Sequence, residues 1–247
     1  METIFITGGT GLIGTAQVKH FLACGYRVVT TYRSEEKLRP FQQHPHLLGI
    51  HLPDILLPEA PEQIIQELER ADALPEYLVN MATDSRWHKM EADGMASREC
   101  MVNHYLANVV FPYELSFRLA HHPKSRLKKI INISSMYGVV PYDPQLYNNP
   151  AQETPLQYSL SKCALIHLTK ELAIRLREQN IMVNAVSYGG VEGRAAEDFK
   201  ERFRRVTPLK RMMQPEETID AVEFLIKDNS HYMTGQNIIV DGGRTIW

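Results

Sequence analysis

Residues 3–14 read TIFITGGTGLIG. Thr3–Thr7 are β-branched or aromatic, at the length of a buried strand. Gly9, Gly11 and Gly14 then satisfy G-x-G-x-x-G, and a helical pattern follows. A strand, a glycine turn and a helix in that order open a dinucleotide-binding unit. The glycines permit a tight turn and let backbone N–H groups approach a pyrophosphate at a helix N-terminus. The residues expected to line the phosphates are Gly8, Thr10, Gly11, Leu12, Ile13 and Gly14. A glycine-rich turn that binds nothing is the alternative, and the place of this one at the first strand of an alternating chain favours the nucleotide.

Outward from this stretch, short β-branched runs alternate with amphipathic ones over all 247 residues. Strands are expected at 3–7, 26–32, 47–52, 77–82, 128–134, 181–188 and 237–241. Helix-like patterns lie between them, among them 61–71 and 161–180, where Leu165, Leu168, Leu172 and Leu176 share one face. Seven strands separated by helices predict a doubly wound α/β Rossmann fold, with a seven-stranded parallel sheet covered by helices on both faces. No repeat or linker divides the chain, so residues 1–247 read as a single nucleotide-binding domain. The Pro- and Asn-rich stretch 141–157 reads as a long loop.

Composition adds exclusions. With 44% hydrophobic residues, 23% charged and a formal net charge of −2, the chain carries no global field for nucleic acid or a membrane. No apolar run approaches a bilayer span. The first strand begins within two residues of Met1, which leaves no room for a signal peptide. Cys24, Cys100 and Cys163 have no paired spacing and read as free thiols in a reducing cytoplasm. Trp87, His88 and the His121–His122 pair show no metal-ligand pattern and read as structural or surface residues, with no metal expected.

The end of the second strand selects the nucleotide. A carboxylate there would take the ribose 2′-hydroxyl of NAD. The sequence is TTYRS, with Tyr32, then Arg33, and no carboxylate before Glu35. An arginine fork suits a 2′-phosphate, so NADP(H) is expected in preference to NAD(H).

Further along, Asn80-Met81-Ala82 closes the fourth strand, INISS closes the fifth with Ser134 and Ser135, and YSLSK supplies Tyr158 and Lys162. TPLKRMMQPEE (207–217) and GQNIIVDGG (235–243) follow. In this order the motifs resemble those of the short-chain dehydrogenases/reductases, in their single-domain form, from first strand to C-terminus. The resemblance implies an oxidoreductase that moves a hydride between a nicotinamide and an alcohol or carbonyl carbon. Tyr158 would be the general acid/base and Lys162 its tuner and ribose holder. Ser135 would polarise the substrate oxygen, with Ser134 the alternative. Asn103 would support a water-linked proton relay, with Asn108 in its place if the register differs. Asp54 and Ile55 would lie near the adenine, Asn80 and Ala82 along the cofactor, and Gly189 and Val191 beside the nicotinamide. The chemistry is coherent: charge developing on a carbonyl oxygen needs a proton donor. A free tyrosine titrates at about 10, and an ammonium on the same helix face favours its phenolate.

The sequence also departs from the pattern. Leu12 holds a usual glycine position, so TGGTGLIG looks more like the extended branch of the superfamily, whose members often act on nucleotide sugars. Thr83 replaces a glycine and Tyr188 a proline, where a tyrosine either meets substrate or covers the sheet end. Ser135 and Tyr158 are 23 residues apart, longer than is common in the family. The surplus carries Tyr142, Tyr147, Asn148 and Asn149, placed either to shape a substrate pocket or as a tolerated insertion. A similar stretch occurs in members associated with bacterial surface-sugar synthesis, which implies a polar, sugar-like substrate. The segment at about 190–210 corresponds to the substrate loop. Its basic residues Arg194, Lys200, Arg202, Arg204 and Arg205 either meet an anionic substrate or, as helical charges usually do, face water. The resemblance also implies a homotetramer or homodimer, to which the apolar end RTIW is suited. Two other functions remain open: a cofactor-retaining sugar epimerase or dehydratase, and a non-catalytic dinucleotide sensor.

Overall fold

A computed structural model describes residues 1–193, 195–227 and 230–247. The strands are β1 (Thr3–Ile6), β2 (Arg27–Tyr32), β3 (Leu47–His51), β4 (Tyr77–Asn80), β5 (Lys129–Ser135), β6 (Met182–Tyr188) and β7 (Asn237–Val240). They form one sheet in the order β3-β2-β1-β4-β5-β6-β7, and every pairing is parallel. The order reverses between β1 and β4, the switch point at which doubly wound sheets open a crevice.

Alternation along the strands divides the interior into two cores. Phe5, Val29, Leu78, Ile130 and Val183 face one side. There they meet Ile64 and Leu68 of α2 (Ala60–Arg70), Leu115 and Leu119 of α4 (Phe111–Ala120), and Leu172 of α5 (Leu156–Arg175). Ile4, Ile6, Val28, Val79, Ile131 and Val186 face the other side. There they meet Val18, Phe21 and Leu22 of α1 (Leu12–Ala23) and Val222, Leu225 and Ile226 of α7 (Ile219–Ile226). Between α2 and α4 lies α3 (Arg98–Tyr105), joined to α4 by a π turn at Leu106–Val110. The substrate-loop helix, α6, spans Glu197–Arg205.

Three local expectations change. The 141–157 stretch is not a featureless loop, because 3-10 turns form at Pro144–Leu146 and a one-turn helix at Pro150–Glu153. Helix α5 starts at Leu156, five residues earlier than its leucine periodicity suggests, since Pro155 occupies the N-cap position and places Tyr158 inside the helix. Tyr188 does not face substrate. It is buried in the second core and donates its hydroxyl to the Thr218 carbonyl.

Candidate active site

The glycine turn is held from below by β2. Gly8 N–H donates to Thr31 Oγ1 and Gly9 N–H to Thr30 Oγ1, each at 2.9 Å. Gly14 has no room for a side chain, because a Cβ would stand 2.6 Å from both the Gly8 carbonyl oxygen and Gly9 Cα. Gly8 itself has a φ of +72°, a conformation glycine adopts without penalty. The turn therefore lies flat at the N-terminus of α1, whose first N–H groups have no intrahelical partners. It opens on a cleft of about 310 Å³ lined by Gly8, Thr10, Gly11, Leu12, Ile13, Gly14, Arg33, Ile55 and Ala82, among others. A cradle of backbone with no room for Cβ atoms fits a dinucleotide pyrophosphate. Gly14→Ala is expected to overpack this contact, lowering Tm by roughly 3–10 °C and weakening NADPH and NADH alike, as read by thermal melts and fluorescence titration.

Two expected cofactor residues are also engaged within the protein. The Asn80 side chain is buried and donates to Ser116 Oγ at 3.0 Å and Asn132 Oδ1 at 2.8 Å. Asn132 continues the chain to Thr169 Oγ1 at 2.9 Å, so Asn80 straps β4 to β5, α4 and α5. Asp54 accepts from Leu56 N–H at 2.9 Å and pairs with Arg86 at 3.3 Å, while its neighbour Ile55 lines the cleft. Arg33 does line the cleft, with Ser34 and Lys37, and its Nη1 lies 3.4 Å from the buried Asp84 carboxylate. Arg86 meets the same carboxylate at 2.9 Å. The two cations hold Asp84 ionised below the usual carboxylate range, although burial alone pushes the other way.

The ends of β4, β5 and β6 share the sheet edge with the glycine turn. At the end of β5, Ser135 Oγ accepts from Tyr137 N–H at 3.2 Å, which leaves the serine proton free to donate. The Ser135 hydroxyl lies on the Tyr158 side chain and favours its phenolate, a smaller effect than burial. Lys162, one turn on, is buried, donates to the Ile133 carbonyl at 2.8 Å and stands 5.8 Å from the Tyr158 ring centre. Burial dominates both groups. It pushes the Tyr158 phenol up and the Lys162 ammonium down to about 8, so the nearby ammonium alone does not bring the phenol below its ordinary value. Ser134 points away, donating to the Lys162 carbonyl at 2.9 Å. Gly189 packs where a Cβ would come within 2.8 Å of Asp241 Cα, and Val191 bridges to Met213.

Asn103 is half-buried on α3, and among the described residues it makes no side-chain hydrogen bond to Ser135, Tyr158 or Lys162. The asparagine of this segment that is buried against α5 is Asn108, in the π turn. Its Nδ2 lies 3.0 Å from Ser161 Oγ and 3.1 Å from His104 Nδ1. The widened turn carries Asn108 inward, a shift that counting residues along a regular helix does not find.

Sequence reasoning also missed His88. Its ring stands edge-on to Tyr158 at 5.0 Å and stacks on His104 at 4.8 Å. No spacing signal links it to YSLSK, seventy residues away.

The insertion and the substrate loop form one wall. Leu146, Phe203, Met136 and Met212 make a small core with Tyr137, Tyr147 and Phe199 around it. Arg202 donates to the Leu146 carbonyl at 2.8 Å and to Asn148 Oδ1 at 3.0 Å. Tyr137 and Tyr147 hydroxyls meet at 2.6 Å, and the Tyr137 and Tyr142 rings lie 3.9 Å apart. The basic residues of α6 are occupied by acidic neighbours: Lys200 by Glu192 and Glu197, Arg204 and Arg205 by Glu201. Arg194 lies outside the described residues.

Comparison with known proteins agrees with this geometry. The family profile described as enoyl-(acyl carrier protein) reductase matches residues 10–245. A 3-oxoacyl-(acyl-carrier-protein) reductase of Thermotoga maritima is 31% identical, over 99% of this chain and 98% of its own length. A short-chain dehydrogenase of Leptospira borgpetersenii, solved with bound NAD+, is 30% identical with a TM-score of 0.87, covering 99% of this chain and 92% of that one. A 4-hydroxyisoleucine dehydrogenase complexed with NADH is 26% identical with a TM-score of 0.86, and the match covers both chains fully, 100% of each. The chain belongs to the short-chain dehydrogenase/reductase family and is an NAD(P)-dependent enzyme of that family.

Proposed function

We propose that this short-chain dehydrogenase/reductase is an NADP(H)-dependent oxidoreductase that interconverts an alcohol and a ketone or aldehyde, with Tyr158 as general acid/base and a polar, sugar-like substrate. The observation that carries the reading is the Ser135–Tyr158–Lys162 constellation at the sheet edge that also bears the glycine turn. A bound nicotinamide cofactor supplies or accepts the hydride. The protein's residues manage the oxygen and its proton. In reduction, Ser135 donates a hydrogen bond to the carbonyl oxygen while Tyr158 delivers the proton; in oxidation, the phenolate takes it back. Lys162 holds positive charge beside the phenol on a rigid helix. The aromatic wall of Tyr137, Tyr142 and Tyr147 supports exclusion of water from this exchange. Its hydroxyls are engaged with one another and with the Pro155 carbonyl, so the polar-substrate reading rests on the resemblance of the insertion to that of surface-sugar members.

The preference for NADP(H) rests on Arg33 at the cleft and on Tyr32 standing where an acidic residue would serve NAD. Loss of a charged hydrogen-bonding fork costs about 1.5–3 kcal/mol, so Arg33→Ala should raise the Kd for NADPH by roughly 10–100-fold. The Kd for NADH should move far less. Titration by nucleotide fluorescence, followed by NADPH absorbance with a panel of polar carbonyls, checks both halves. Equal loss for the two nucleotides would assign Arg33 to scaffolding of Asp84, and absence of net NADPH oxidation would turn attention to internally recycled redox chemistry. The free cysteines support a cytoplasmic setting. Ile246 and Trp247, at 89% and 78% exposure, support assembly with further copies as a homotetramer or homodimer.

A further inference from the structure

We infer that His88 forms, beside Tyr158, a hydrogen-bonding subsite for a second, uncharged oxygen of the substrate, so that the enzyme favours carbonyls bearing a neighbouring hydroxyl and, in reverse, vicinal diols. The inference rests on the oxidoreductase reading above and narrows its substrate class.

The first support is placement. The His88 ring is edge-on to the Tyr158 ring at 5.0 Å and stacks on His104 at 4.8 Å, and the His104 ring itself lies 6.0 Å from Tyr158, so the three rings form one cluster. His104 is fixed in turn by Asn108, which also reaches Ser161 on the tyrosine's own helix.

The second is how the loop is held. Gln157, the residue before Tyr158, is buried and donates from Nε2 to the Trp87 carbonyl at 2.8 Å and the Lys89 carbonyl at 3.0 Å. Those carbonyls flank His88. One helix therefore fixes both the tyrosine and the loop that presents the imidazole, and Gln157 is the positioning residue. A histidine that merely filled space would not need both neighbours anchored from the catalytic helix.

The third is an unmet bond. His88 Nε2 is out of solvent and has no hydrogen-bond partner among the described residues, and the same holds of Trp87 Nε1 and His104 Nε2 beside it. A buried polar atom left so costs about 1–3 kcal/mol, a cost that a hydrogen-bonding group of the substrate reaching the ring would remove.

The ligand's charge follows from the surroundings. Burial and the Lys162 ammonium hold His88 below its ordinary pKa, against the smaller pull of Asp84. His104, in the same cluster, is held down to about 4. Two neutral imidazoles beside one ammonium favour a hydroxyl, which both donates and accepts, over a cationic group. A carboxylate would gain little from an uncharged ring.

The test compares 1-hydroxy-2-butanone with 2-butanone under NADPH. The wild type should show a kcat/KM ratio of at least about tenfold in favour of the hydroxyketone. His88→Leu should collapse that ratio to near one, chiefly through KM for the hydroxyketone, and His88→Asn should restore part of it. Gln157→Leu should shrink the ratio in the same direction. Melting curves and NADPH titration of each variant report whether the fold and cofactor site are intact. Should His88→Leu not fold, the wild-type ratio and the Gln157 variant still decide. Turnover of both ketones with no wild-type preference, or a ratio that survives His88→Leu, overturns the subsite alone. No NADPH oxidation with any carbonyl overturns the oxidoreductase reading as well.

Discussion

Tyr158→Phe is expected to lower kcat by roughly 10³-fold while nucleotide affinity changes little, the loss lying within the range that a positioned acid/base contributes. Phenylalanine keeps the ring, and with it the edge contacts to His88 at 5.0 Å and His104 at 6.0 Å. What disappears is one hydroxyl, and with it the proton carrier set beside Ser135. Stability should therefore move by no more than about 1 kcal/mol. The pH dependence has a definite sign. Burial pushes the phenol up, so near neutrality Tyr158 carries its proton and is ready to give it to a carbonyl oxygen. Alcohol oxidation needs the phenolate, so its kcat/KM should climb with pH through the alkaline range, and Tyr158→Phe should flatten that climb. Steady-state rates in both directions, together with melting curves, separate this from a folding defect. A variant retaining a tenth of the wild-type rate would place the acid/base elsewhere.

What was legible in the sequence depended on local signals. The sheet was, because parallel strands covered on both faces are continuous β-branched runs, and each run became a strand within a residue or two. The glycine cradle was legible too, since strain and close approach single out glycine whatever surrounds it. The asparagine was legible only as a pair of alternatives, Asn103 or Asn108, because a π turn at Leu106–Val110 decides which side chain faces α5, and nothing in the pattern LANVV announces a widened turn. His88 was not, because its meaning arises from Gln157 reaching across to its loop. The early start of α5 was hidden by Pro155, which reads as loop when it in fact precedes the helix. Asn80 was placed on the correct strand end, but its bracing of the core was not legible, since its partners Ser116 and Asn132 come from elements distant in sequence.

Lys162→Met should abolish efficient turnover and, at the same time, stabilise the nucleotide-free protein at pH 7. Lys162 is 3% exposed and its ammonium is held down to about 8 by burial alone. The unfolded chain titrates near 10.4, so between pH 8 and 10.5 the unfolded state binds more protons and wild-type stability rises with pH. Below pH 8 both states are protonated and the whole cost of enclosing the ammonium is present, on the order of 3 kcal/mol at one unit per 1.36 kcal/mol. Methionine removes that cost and fills the space, but it leaves the Ile133 carbonyl without its 2.8 Å donor, a loss of about 1–2 kcal/mol. The net gain of roughly 1–2 kcal/mol should raise Tm by about 2–8 °C at pH 7. That advantage should shrink towards pH 10.5, as the wild-type lysine sheds its proton in both states. A variant less stable at pH 7, or an advantage indifferent to pH, would mean that the ammonium is not the buried burden. The expected pattern is that of a site kept for chemistry at the expense of the fold, the trade-off that catalytic charges inside a low-dielectric core impose.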